Sequence, residues 1–350
     1  MPERMPLRFL NYHLLCLLTI AVILTACKKA PVQTLLTSVK TDTSTYQTSG
    51  TKITYLANPV QLIGADAFHV FGAGGSDMNS WHIDIAREFV GNAKETPVSG
   101  NTIKDSNGAY LYSLQTVVDS NRKNKRITII CAFGWDGTAA TLFSGTRPTQ
   151  TAWWGNFQTI LRQWAVYFKN QPDVWIEIWN EPYRYDGTDG YTDNIWMSDM
   201  NTLTAIIRNA GNNNIILIPC AEQGQDERVL NNNGAAFLSG KINILFDVHA
   251  YEKWLLDTDE DLGARLDKLK QNKIPVIFGE TGPMNAGTLM NPQSFLDSAY
   301  NRGLSVCAWV WKNDGTDQDA LLTSAGLPNN INNNHWGSLF QGLVLKPRKP

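Results

Sequence analysis

The chain has 350 residues, 43% of them hydrophobic and 18% charged, so it carries enough apolar material for a large core and too little charge for a disordered chain. A formal charge of -2 leaves no basic excess of the kind that neutralises phosphates, which excludes a nucleic-acid binder and points to a neutral or weakly charged substrate. Twelve Trp and eleven Tyr supply flat amphipathic rings suited either to a core or to the apolar face of a sugar.

The chain opens as a targeting segment. Arg4 and Arg8 give a positive start, residues 14–24 form an apolar stretch too short to span a bilayer, and Leu24-Thr25-Ala26-Cys27 closes it with small residues. This resembles a bacterial lipobox, so residues 1–27 read as a lipoprotein signal peptide with Cys27 as the lipid-bearing residue; an ordinary signal peptide with a chance cysteine is the alternative. Either reading exports the protein. Lys28-Lys29 after the cysteine, with no acidic residue, favours an outer-membrane lipoprotein over inner-membrane retention, on the periplasmic or the cell-surface face. Residues 28–52, rich in Thr, Ser and Lys, read as a flexible tether, and residues 53–350 as one domain without a second linker or a solenoid repeat. The protein is expected to be a monomer that meets the membrane only through its lipid.

Within the domain, short β-rich runs alternate with amphipathic stretches. Eight candidate strands cover 61–71, 83–90, 126–133, 174–180, 215–220, 244–251, 275–280 and 305–311, with helical patterns over 111–121, 157–169, 195–209, 261–271 and 292–301. Strands separated mostly by helices predict an α/β fold, a single-domain (β/α)8 TIM barrel. The exception is the first crossover, where Gly74-Gly75-Ser76-Asp77 reads as loop. Cys131, Cys220 and Cys307 lie in apolar strand-like runs and are expected as packed thiols with no disulfide. No C-x-x-C or His-bearing cluster suggests a metal site, and no nucleotide or flavin motif suggests a cofactor.

Side chains at the C-terminal ends of barrel strands face the mouth. The fourth candidate strand ends Ile178-Trp179-Asn180-Glu181-Pro182 and the seventh ends Phe278-Gly279-Glu280-Thr281, so Glu181 and Glu280 face each other across the barrel. Glycosidic cleavage uses such a pair, one carboxylic acid to protonate the leaving oxygen and one carboxylate at the anomeric carbon. Carboxylates at helix starts are the structural alternative. Glu177 shares the parity of Glu181 and is read as a buried structural acid that requires a partner.

Asn180-Glu181-Pro182, His249-Ala250-Tyr251, Gly279-Glu280 and Trp309-Val310-Trp311, in this order on these strands, resemble glycoside hydrolase family 5, the cellulase and β-mannanase family, over about residues 61–345. The resemblance implies a retaining double displacement with Glu181 as acid/base and Glu280 as nucleophile. It places Arg87 and Tyr251 as donors to Glu280, His249 beside the substrate by its parity with Tyr251, and Asn180 on the sugar 2-hydroxyl. Trp309 is preferred as the stacking floor, with Trp311 as the fallback.

The chain departs from the family after the third strand. Many members have Asp-x-His there, whereas this sequence reads Ala132-Phe133-Gly134-Trp135-Asp136; Trp135 is the candidate replacement contact, and Glu222 after the fifth strand the candidate polar one. The resulting expectation is an endo-β-1,4-glycanase on polysaccharide, glucan first and mannan next, since Trp311-Lys312-Asn313 faintly resembles mannanases. An exo-acting or transglycosylating relative and a non-catalytic glycan-binding lipoprotein remain as alternatives.

Overall fold

The computed structural model describes residues 45–71, 76–90, 96–104, 110–131, 145–312, 318–330 and 335–350. Eight strands form a closed parallel barrel in chain order: β1 (Ile63–Ala67), β2 (Ile85–Phe89), β3 (Ile127–Cys131), β4 (Val174–Glu177), β5 (Ile216–Pro219), β6 (Ile244–Ala250), β7 (Val276–Thr281) and β8 (Ser305–Ala308). Each lies inside its predicted run except β7, which extends one residue past it to Thr281. Parallel strands covered by helices are buried on both faces and so read as nearly continuous apolar segments, which is why all eight are visible in the sequence.

Helices α1 (Leu114–Lys123), α2 (Trp154–Phe168), α3 (Asp193–Asn209), α5 (Asp259–Gln271) and α6 (Gln293–Asn301) match the predicted patterns. Two others, α4 (Arg228–Leu238) and α7 (Trp336–Leu345), do not appear among them. In α4 the run Asn231-Asn232-Asn233-Gly234 is poor in helix formers, and the helix persists by burying Val229, Leu230, Gly234 and Phe237. The described part of the first crossover holds two 3-10 turns, His69–Phe71 and Ser76–Trp81, in keeping with its loop-like sequence.

The barrel interior has two chemically distinct layers. The lower one is apolar, built from Ile85, Ile127, Ile129, Trp175, Leu217, Leu245, Ile277 and Cys307. An N-terminal ribbon of three short strands, Tyr46–Ser49, Lys52–Tyr55 and Asn58–Val60, adds Ile53 to that layer and sets the Tyr46 ring edge-on to Trp175 at 5.6 Å. The predicted boundary between tether and domain at 52/53 falls inside this ribbon. Residues 46–52 are therefore part of the fold: local Thr and Ser content resembles a linker, but the pairing of 46–49 with 52–55 is a strand register that composition does not reveal. Cys131, Cys220 and Cys307 are buried free thiols.

Since Ile53 is 4% exposed and belongs to the layer under the site, Ile53→Ala is expected to lower the unfolding free energy by about 2–4 kcal/mol. A denaturant titration checks this; an unchanged midpoint would mean that the ribbon is not part of the cooperative unit.

Candidate active site

Above the apolar layer the same alternation continues with charged residues. On β2, Ile85, Arg87 and Phe89 point inwards, while Glu88 points outwards and pairs with His69 Nδ1 at 2.6 Å and Asn121 Nδ2 at 2.9 Å. On β4, Trp175 is followed inwards by Glu177. Arg87 is fully buried and sits at the centre of this upper layer.

A guanidinium has five N–H donors and no acceptor, and all five of Arg87 are engaged. Nε and Nη2 grip Glu177 at 2.6 and 2.7 Å, Nη1 reaches Asp66 and Glu280 at 2.8 Å each, and the second Nη2 hydrogen goes to Asn180 Oδ1 at 2.9 Å. Phe89 packs against it, 4.7 Å from Arg87 Cζ to its ring centre. This answers the sequence question about Glu177, which is the buried partner of Arg87.

Glu280 reaches the interior through a register irregularity. Strict alternation from Ile277 would turn Glu280 outwards, but the β6/β7 pairing steps from Val248↔Phe278 to His249↔Glu280, so Gly279 and Glu280 together oppose one residue. Glu280 Oε1 accepts from Arg87 and Oε2 accepts from the Tyr251 hydroxyl at 3.0 Å. Glu181 follows β4 with a left-handed φ of 45°, and its carbonyl accepts from Gly145 N at 2.7 Å. Its carboxylate is 18% exposed and meets His249 Nδ1 at 3.0 Å; the same nitrogen lies 3.6 Å from Glu280. One carboxylate oxygen each of Glu181 and Glu280 and a ring nitrogen of His249 all fall within 4.8 Å of one another.

The structure thus brings together Glu181, Glu280, Asn180, Arg87, His249 and Tyr251. Trp309 joins them at the rim: its partly exposed ring stands edge-on to Phe89 at 5.0 Å and to Phe68 at 5.8 Å. Trp311 does not. It is 1% exposed and packs edge-on against Trp81 in the outer core, because β8 ends at Ala308 and two-residue alternation no longer governs the chain beyond it. Nor is Glu222 among them: its carboxylate is held by Lys253, by Arg228 Nη2 at 3.1 Å and by the Tyr191 hydroxyl at 3.1 Å, a brace between loops. Trp135 and Cys27 lie outside the described residues.

Sequence reading passed over Asp66 and Asp247, both fully buried in the polar layer. The signal was present, since each is an acid inside a mostly apolar barrel strand, and Asp247 shares the parity of His249. Burial pushes the Asp66, Glu177 and Glu280 carboxyls up, opposed by Arg87 and, for Glu280, chiefly by His249. One guanidinium cannot offset every carboxylate around it, and Asp66, whose Oδ2 has no hydrogen-bond partner among the described residues, is best placed to keep a proton. Triads such as Glu181, His249 and Glu280 have metal-like spacing, but a cation there would compete with Arg87 and Tyr251 for the same oxygens.

The family described as Cellulase (glycosyl hydrolase family 5) matches residues 75–315. Mannan endo-1,4-beta-mannosidases of Cellvibrio japonicus (strain Ueda107) and Streptomyces lividans are 25% and 23% identical over 42% and 50% of this chain. The matches span 34% and 44% of those relatives, less than half the length of either. Among solved structures, the catalytic domain of a mannanase from Streptomyces sp. SirexAA-E is similar at TM-score 0.64 and 16% identity, covering 88% of this chain and 94% of that one. The catalytic domain of a Thermobifida fusca endoglucanase is similar at TM-score 0.62 and 15% identity, covering 86% and 97%. At these identities the structural likeness is one of fold.

An acid whose folded pKa lies above its ordinary value of 3.8 stabilises the fold at low pH and loses that contribution as pH rises towards the folded value. Asp66→Asn keeps the acceptor for Arg87 and removes the titration, so its melting temperature should gain on that of the parent between pH 4 and pH 8. A difference that does not change with pH would show that Asp66 is not the proton-holding acid.

Proposed function

The chain belongs to the cellulase family, glycosyl hydrolase family 5, and on that premise we propose that it is a retaining endo-β-1,4-glycanase acting on mannan ahead of glucan. Its fold is that of a glycoside hydrolase. The observation that carries the reading is Glu280, held by Arg87 on one oxygen and Tyr251 on the other, with Glu181 within reach across His249. The 4.8 Å limit between their oxygens supports direct attack, because a water-activating pair stands about 6.5–9.5 Å apart.

In this reading Glu181 protonates the glycosidic oxygen while Glu280 attacks the anomeric carbon to form a glycosyl ester. Glu181 then takes a proton from water, whose oxygen displaces Glu280. With its Oδ1 turned to Arg87, Asn180 has its amide donors left for the sugar 2-hydroxyl, a contact that strengthens as the oxocarbenium ion develops. Trp309 would support the apolar face of that sugar. The preference for mannan rests on what the curated relatives act on, and reverses the order expected from the residues alone. We further propose export and anchoring by lipid on Cys27 at the outer membrane, the enzyme acting as a monomer on polysaccharide without a cofactor.

The enzyme lacking its first 27 residues should release reducing ends from mannan faster than from glucan, xylan or xyloglucan, with products that retain the β configuration by NMR. Glu280→Gln should abolish turnover with sugar binding intact, and Glu181→Gln should cost roughly 10²–10⁴-fold on unactivated substrates. Near-normal rates in either variant remove it from its role. Cys27→Ser should appear as soluble exported protein on fractionation; undiminished membrane association would refute the lipid anchor.

A further inference from the structure

The proposed chemistry requires Glu181 to give up a proton and later recover one, and the buried His249 touches its carboxylate. The two ring nitrogens of a histidine differ, and the partner of one sets the proton on the other. Nδ1 faces Glu181 and Glu280. Nε2 faces Asp247 Oδ2 at 3.4 Å and Arg87 Nη2 at 3.5 Å.

These two neighbours make opposite demands. A guanidinium only donates, so an Arg87 partner would require a lone pair on Nε2 and a hydrogen on Nδ1. A carboxylate only accepts, so an Asp247 partner requires Nε2–H. The contest is settled by counting hydrogens: Nη2 has two, and both are already given to Glu177 Oε1 and Asn180 Oδ1. Asp247 Oδ2 is buried with no hydrogen-bond partner among the described residues; Nε2 lies 3.4 Å from it and the occupied Nη2 3.7 Å.

The surroundings hold this arrangement in place. Gly279 N–H donates to Asp247 Oδ1 at 2.7 Å, and a Cβ on Gly279 would stand 2.2 Å from that oxygen, so only glycine leaves room for the carboxylate. The backbone of Gly224, with φ of +77°, lies against the imidazole, where a Cβ would come 2.7 Å from Cγ. We infer that Asp247 is a positioning residue that keeps a proton on His249 Nε2, making Nδ1 the nitrogen that exchanges one proton with Glu181 Oε1. Burial disfavours the imidazolium, yet Glu280, Asp247 and Glu181 together raise its pKa above the ordinary value. Arg87 and the Tyr251 ring complete the surroundings of the imidazole. The inference rests on Glu181 as the acid/base.

Asp247→Asn preserves shape and can still accept from Gly279 N–H through its amide oxygen. Its amide nitrogen then donates to Nε2 and drives the proton to Nδ1, the wrong tautomer. Expected is a loss of roughly 10²–10⁴-fold in kcat/KM on unactivated manno- or cello-oligosaccharides, while the burst of dinitrophenolate from 2,4-dinitrophenyl glycosides is little changed because that group leaves without a proton. Nitrogen-15 spectra of histidine-labelled parent enzyme should show His249 protonated at Nε2 across pH 5 to 9, and the variant should show Nδ1–H. Equal losses on both substrates, or an unprotonated Nε2 in the parent, would overturn the inference. The parent spectrum decides even where the variant does not fold. Unimpaired Glu181→Gln activity would instead sink the acid/base reading itself and leave the tautomer result standing.

Discussion

A buried guanidinium with every hydrogen engaged is the constraint on which the rest of this barrel depends. Taking Arg87 out of water is costly, and its neighbours Asp66, Glu177 and Glu280 would be costlier still alone. Together they form one polar layer in which each group is the solvent of the next. Arg87 joins β1, β2, β4 and β7 through a single side chain, so the position of Glu280 relative to Asn180 is set by the planar fork of one residue. A lysine offers three donors on a flexible stem and cannot reproduce that geometry.

The apolar floor gives this layer its strength. Ile85, Trp175, Leu245 and Ile277 exclude water from below, and the N-terminal ribbon covers them in turn. Electrostatic interactions above such a floor are stronger than at a surface, which is where preorganised charge helps a developing oxocarbenium ion most. Close packing also explains the two glycines beside the site: Gly279 yields space to Asp247, and Gly224 to His249. Both are needed because the chain passes too near a site side chain for any Cβ.

The residues around the reacting pair divide by what they touch. Glu181 and Trp309 are partly exposed and Glu280 and Asn180 are buried beside them, whereas Asp66, Glu177 and Asp247 are fully buried and lie against Arg87 and His249. Glu222 belongs to a separate brace, joining Lys253, Arg228 and Tyr191 outside the polar layer.

Eight strands, five helices and the two glutamates could be read directly from the sequence, because a barrel strand is a mostly apolar run and residues at its end face the mouth. The pairing of 46–49 with 52–55, the helix at Arg228–Leu238, the burial of Trp311 and the bracing of Glu222 could not, since each follows from contacts beyond local pattern. The partners of Asp66 and Asp247 were hidden for the same reason: Asp66 meets Arg87 across 21 residues of chain, and Asp247 meets Gly279 across 32. Sequence alone determined which side chains point into the barrel along the regular part of each strand, a matter of period two that fails at Glu280 and Trp311. Only closure of the barrel decided which of them touch, because register, the bulge beside Glu280 and the count of hydrogens on one arginine exist only once all eight strands are in place.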